Sequence, residues 1–173
     1  MNERSFTRSG TMSSNTTLDK KAQILCAAEK LIAELGFQGF SMQKLAKEAG
    51  VAAGTIYRYF SDKNHLLDEV RLNVAKRIAI EVQAGVSDDM PLKERYTKMW
   101  LNIWCLAGSN VDTLNNRVQY QSLPYASNRV TLERERKMFD QVEKLFDQGK
   151  EQGVFKPLDN MILSGLSFEA TVA

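Results

Sequence analysis

In the segment GFQGFSMQKLAKEAGVAAGTIYRYF at residues 36–60, three small or branched residues stand at a spacing that constrains the backbone around a cluster of polar and aromatic side chains. Ala46, Gly50 and Ile56 are set so that the second and third lie four and ten positions after the first. Ala46 is small enough for a second helix to cross close by. Gly50 can take a left-handed backbone without a Cβ penalty, as a tight turn requires. Ile56 is placed to point back into the angle between two short helices. This is the helix-turn-helix pattern, whose second helix enters a DNA major groove.

Bond-making chemistry finds no comparable support. His65 is the sole histidine, inside SDKNHLL, where it is expected to be exposed. No Ser-His-Asp set, metal-ligand cluster or phosphate-binding glycine loop is present, so neither an enzyme nor a bound cofactor or metal is expected. Asp88 and Asp89 fall in a loop and read as a solvated turn. Cys26 and Cys105 lack metal-ligand spacing and a disulfide framework; on apolar faces they read as reduced core thiols of a cytoplasmic protein.

The scaffold around residues 36–60 reads as helical. The 173 residues contain only three prolines and ten glycines, and 43% are hydrophobic. No apolar run approaches the ~20 residues that span a bilayer, so no membrane partner is expected. Residues 1–16 read as a polar, disordered arm. A 3.6-residue stripe of Ile24, Leu25, Ala28, Leu31, Ile32 and Leu35 marks a helix over about 17–35, ended by Gly36. Ser41 caps a second helix reaching Ala49, and a short aromatic one follows over about 52–60. Another, begun by Ser61 or Asp62, carries Leu66, Leu67, Val70, Val74 and Ile78 to about Ala84. Pro91 opens a further helix with Tyr96, Met99, Trp100, Ile103 and Trp104, and a shorter one covers about 110–121. A long helix is expected from about Asn128 to Gln152, with Leu132, Phe139, Val142, Leu145 and Phe146 inward. The ERERK run at 133–137 reads as an exposed, salt-laced face. Residues 1–77 hold 12 Lys/Arg against 8 Asp/Glu, and the remainder 11 against 13, so the positive excess lies in the half with the helix-turn-helix and suits phosphate contact.

With Leu35-Gly36-Phe37, Gly50-Val51, the run Gly54-Thr55-Ile56-Tyr57-Arg58-Tyr59-Phe60, and Lys63 with Leu66-Leu67 in view, the chain resembles the TetR family of bacterial transcriptional regulators. The likeness is close over residues 20–70. Later it extends to the helical layout and the QGKEQGVF phrase. The resemblance implies an all-α protein, with a helix-turn-helix DNA-binding domain over 17–62, a connecting helix over 63–84 and a helical ligand-binding and dimerisation domain over 85–173. It implies that Ser41, Met42 and Gln43 begin the helix that grips phosphate, and that Ala52, Ala53, Gly54 and Thr55 form the leading turn of the recognition helix. Tyr57, Arg58 and Tyr59 extend along that helix, and Lys63 pairs with a phosphate. Many relatives carry Ser or Thr at the position of Ala52 and a basic or polar residue at that of Ala53. With alanine at both, specificity falls on Thr55, Arg58, Gln43, methyl contacts and DNA shape.

Trp100 and Trp104 share a helix face, and Tyr120, Tyr125 and Phe139 could join them in an aromatic chamber for a planar or cationic molecule. The same residues fit a plain aromatic core equally well. Asn102, Arg117 and Gln119 are the nearest polar groups able to orient a ligand. The expected function is a ligand-responsive repressor, a homodimer on a near-palindromic double-stranded DNA operator, released by a small-molecule effector. The alternative is a DNA-binding protein without such an effector, controlled by assembly or a protein partner. The family closes its dimer with two C-terminal helices; the chain stops at Ala173 within the first of them, and truncation is expected.

Overall fold

The structure, a computed structural model, describes residues 12–108 and 128–170. It divides into two units, one up to Leu66 and one from Leu67 onward. All regular elements among the described residues are helical. The expected 110–121 helix lies outside them, as do Arg117, Gln119, Tyr120 and Tyr125.

The first unit contains α1 (Met12–Gly39), α2 (Met42–Glu48), α3 (Ala53–Tyr59) and the first turn of α4 (Lys63–Val82). Helix α1 begins ahead of the expected Thr17, so residues 12–16 are helical rather than part of an arm; no Pro or Gly between Thr11 and Asp19 would stop it. Gly36, at φ 65° and ψ 174°, interrupts it at the expected place. Ile24, Leu25, Ala28, Leu31 and Ile32 are buried, together with Phe40, Leu45, Ala49, Ile56, Phe60 and Leu66. Leu35, expected inward, is exposed at the last turn before Gly36. Cys26 is exposed too, correcting its reading as a core thiol: two residues past buried Ile24 it points about 200° away around the helix. Gln23 donates to the Ala49 carbonyl at 2.9 Å and ties α1 to the end of α2.

The second unit holds the rest of α4, then α5 (Leu92–Gly108), α6 (Arg129–Met138), α7 (Asp140–Glu151) and α8 (Asn160–Ser164), which runs into a π-helical turn over Gly165–Glu169. Val82, Met99, Val142, Leu145, Phe146 and Phe168 form its core. Aromatic rings extend that core: Tyr96 stacks on Phe168 at 5.1 Å, and Phe155 meets the edge of Phe146 at 5.5 Å. Cys105 is exposed, six residues and about 240° around from buried Met99.

The helix expected over 128–152 is broken. Phe139 leaves helical geometry (φ −101°, ψ 36°) and separates α6 from α7. The Gln83 side chain fills the break, donating to the Met138 carbonyl and accepting from the Gln141 N–H, both at 2.8 Å. A side chain inserted into the helical ladder is an identifiable cause of such a kink. Before the break, Leu132 is exposed and Thr131 is the buried residue. The Thr131 hydroxyl lies 3.2 Å from a carboxylate oxygen of Asp68, to which Asn128 also donates. The ERERK face is salt-laced as expected, but not wholly exposed. Arg71 holds Glu135 through two nitrogens, at 2.7 and 3.3 Å, and both side chains are largely buried.

Helix α7 ends in a Schellman turn. Gly153 takes φ 69°, Val154 N–H donates to the Gly149 carbonyl and Gly153 N–H to that of Lys150. The turn folds Phe155 back onto the helix so closely that a Cβ on Gly149 would lie 2.0 Å from the ring. Alanine in a helix interior is ordinarily favoured over glycine by roughly 0.5–1 kcal/mol. Here Gly149→Ala should instead destabilise the protein by about 1–3 kcal/mol through overpacking, measured as a lower midpoint in chemical denaturation.

Candidate nucleic-acid interface

The corner between α2 and α3 has the backbone its residues imply. Ser41 caps α2, its hydroxyl accepting from the Lys44 N–H at 3.2 Å. At the other end Gly50 adopts φ 61°. Val51 N–H donates to the Ala46 carbonyl at 3.0 Å and Gly50 N–H to that of Lys47 at 3.2 Å, a second Schellman turn. Ala46 and Gly50 are thus joined by one hydrogen-bonded motif. Helix α3 then starts at Ala53, with Ala52 at its cap and no side chain serving as acceptor.

Seven residues of α3 present two faces. Ile56 is fully buried, and so is Phe60 just beyond the helix. Ala52, Ala53, Gly54, Tyr57 and Arg58 are exposed, Tyr57 by 52%, while Thr55 and Tyr59 are half-buried. Gly54 is informative because the fold gives no reason for it. Its φ is not positive, and a Cβ there would meet nothing within 4 Å. It leaves the outer face of α3 flat where an approaching surface would touch backbone.

Around this helix, Gln43 and Lys44 are exposed, while Ser41 and Met42 are half-buried. Lys63 is more constrained than a solvated lysine. Its ammonium lies 4.8 Å from the centre of the Phe37 ring and 5.5 Å from that of Phe40, and 3.4 Å from the Phe40 carbonyl. This holds the charge one residue before the Ser41 cap. Lys44 donates to the Gly39 carbonyl at 2.9 Å, setting a second ammonium on the same stretch of chain. The start of α4 is capped by Asp62, which accepts from the His65 N–H at 2.9 Å. His65 is exposed as expected, and its Nδ1 accepts from the Ser61 N–H at 3.1 Å. The bond to His65, then that from the Ser61 hydroxyl, holds the Asp62 carboxyl below its ordinary value.

Of the expected ligand chamber, Trp100 and Phe139 are half-buried against the second unit's core. Trp104 stacks parallel to Trp100, 5.7 Å between centres, but is itself 57% exposed. Asn102 is committed elsewhere: its amide donates to the carbonyls of Val82 and Ala84, both at 2.9 Å, and finishes α4. The aromatic grouping at the core is buried Phe146 and Phe168 with half-buried Tyr96 and Phe155, of which the sequence pattern marks only Tyr96 and Phe146. Arg95 is also fully buried, unusually for a lone arginine. Its position four residues before Met99, on the apolar stripe of α5, is the signal that could have found it. Among the described residues, no group of three His, Cys, Asp or Glu could hold a metal ion, and no helix is long and apolar enough to cross a membrane.

Comparison with known proteins agrees with this geometry. Residues 24–70 match the family of bacterial regulatory proteins described as tetR family, and residues 91–173 match a tetracyclin repressor-like C-terminal domain. A solved TetR family transcriptional regulator from Vibrio parahaemolyticus is 71% identical, with 89% of this chain and 82% of that one covered at a TM-score of 0.78. One from Haemophilus influenzae is 32% identical over 89% and 83% of the two chains, with a TM-score of 0.66. A curated helix-turn-helix-type transcriptional regulator of Haemophilus influenzae is 42% identical over 106 residues; the match spans 61% of this chain and 57% of that relative's length.

Two outcomes test the corner. Gly50→Ala should cost about 1–2 kcal/mol from the left-handed backbone alone, since no atom crowds the position, and denaturation would show it. Asp62 has its folded pKa lowered, so its cap contributes fully above the ordinary carboxylate value and is lost as pH falls through the lowered one. Asp62→Asn should flatten that acid dependence in a circular dichroism titration.

Proposed function

Because the chain belongs to the TetR family of bacterial transcriptional regulators, we propose that it binds a near-palindromic operator as a homodimer and represses by covering a promoter until a small molecule binds its second unit. One observation carries the DNA-binding part. Helix α3 turns Ile56 inward and offers a smooth outer face of Ala53, Gly54, Tyr57 and Arg58, with a glycine the fold does not need. A face of that kind suits close backbone approach to a major groove, with Arg58 able to reach guanine edges or phosphate. Thr55 and the methyl groups of Ala52 and Ala53 supply short-range contacts. Ser41, Met42 and Gln43 at the start of α2, with Lys63 held beside them and Tyr59 at the far end of α3, take the flanking phosphates.

Dimerisation is supported by the exposed apolar side chains Leu158, Met161, Ile162 and Leu166 near and along the C-terminal helical segment. A symmetric pair then matches the two half-sites of the operator. The effector reading is supported by the Trp100–Trp104 pair, whose outer ring remains open on α5. A molecule that binds the released form more tightly than the DNA-bound form shifts the population between them by that difference.

Glycine and alanine at position 54 should separate folding from function. Gly54→Ala should stabilise the protein by about 0.5–1 kcal/mol, yet weaken operator binding. Arg58→Ala should lower operator affinity by about 1–3 kcal/mol if it reads a base, or reduce the salt slope by about 1 if it holds a phosphate. Titration of labelled operator DNA at several salt concentrations measures both. An Arg58→Ala protein with unchanged affinity and slope would remove α3 from the groove.

A further inference from the structure

Arg95 lies in the first turn of α5, and its side chain is only 1% exposed. Its Nη1 donates to the side-chain oxygen of Gln148. Its Nη2 reaches Gln141 only at 3.5 Å and an Asp88 carboxylate oxygen only at 3.9 Å. Its Nε is buried and, among the described residues, has no acceptor. One corner of the guanidinium is therefore fixed by a neutral amide, while the Nε–Nη2 edge lacks a close partner. That edge carries two parallel N–H groups at the spacing of a carboxylate or phosphate. A buried cation whose nearest carboxylate is an exposed one at 3.9 Å is only weakly compensated, so the arrangement fits a group that arrives from outside. Asp88 fills the role only in part, at the length of a loose ion pair. It is exposed, and Lys144 donates to it at 3.2 Å.

We propose that Arg95 anchors an oxyanion site in the second unit, which takes the carboxylate or phosphate head of the effector on its Nε–Nη2 edge. The inference rests on the reading above that a small molecule binds the second unit, and narrows that molecule to an anion, because a buried guanidinium attracts an anionic head and repels a cationic one. It also supplies a connection. Gln141, whose side-chain oxygen faces Arg95, donates its backbone N–H to Gln83, the residue that fills the break between α6 and α7. An anion on Arg95 competes with Gln141 and bears on the segment that follows α4.

The test uses hexanoate, benzoate and inorganic phosphate as probes, with hexanamide and benzamide as neutral counterparts, and follows thermal unfolding and calorimetric binding of the whole chain. At least one anion should raise the melting temperature of the wild-type protein while the amides do not. Asp88→Asn, which removes a competing carboxylate, should strengthen binding. Arg95→Lys keeps the charge but loses the fork, and should weaken binding by about tenfold or more. The carboxylate and phosphate arms decide which head group the site takes. The proposal is overturned if no anion shifts the wild type or Asp88→Asn, if the amides bind equally well, or if Arg95→Lys responds like the wild type. Operator titration separates the two readings. An anion that binds through Arg95 without changing operator affinity leaves the site and removes the effector role. A molecule that releases DNA equally from Arg95→Lys keeps the effector role and removes the site.

Discussion

Val51 donates its N–H to the carbonyl of Ala46 across a residue at positive φ, and the first unit is organised around that closure. A residue with a Cβ at position 50 would strain the corner, and a straight chain there would carry α3 past the core instead of across it. Because the turn is fixed, Ile56 and Phe60 enter the core formed by α1 and α2, and the opposite side of α3 is left outward with Tyr57 and Arg58. Burial of two side chains thus decides which others face outward. The exposed face follows from the corner and needs no separate device to hold it.

The second unit is organised differently, by polar side chains placed where helices stop. Gln83 supplies both a donor and an acceptor to the backbone groups freed at Phe139. Asn102 donates to the last carbonyl of α4 and to that of Ala84 just past it, and Asp68 gathers Asn128 and Thr131 at the start of α6. Buried backbone groups must find partners, and here side chains distant in sequence provide them. The apolar core and its aromatic cluster fill the space these contacts define.

That difference explains what could be read from residues alone. The corner, the caps at Ser41 and Asp62 and the inward Ile56 depend on neighbours within a few positions, so local spacing shows them. The break at Phe139 depends on Gln83, more than fifty positions earlier, and hydrophobic spacing runs through it without a sign. The outward positions of Leu132, Cys26, Cys105 and Trp104 likewise depend on which arc of each helix its neighbours cover. Arginine at position 95 looks like an ordinary surface charge at a helix start; its place on the stripe of Met99 is the one local sign of burial, and the packing around α5 completes it. Asn102 looked free to meet a ligand because its carbonyl partners follow from tertiary placement.

Lys63 rests over two phenyl rings with its ammonium turned to a backbone carbonyl. A lysine free in water gives up about 2 kcal/mol of rotamer freedom when a counter-charge immobilises it. This one is already held by two rings and a carbonyl when the chain has folded. Its charge is therefore a fixed feature of the surface, like a metal ion set in a mineral face, and were a polyanion to dock there the entropic toll would fall on the displaced salt and water.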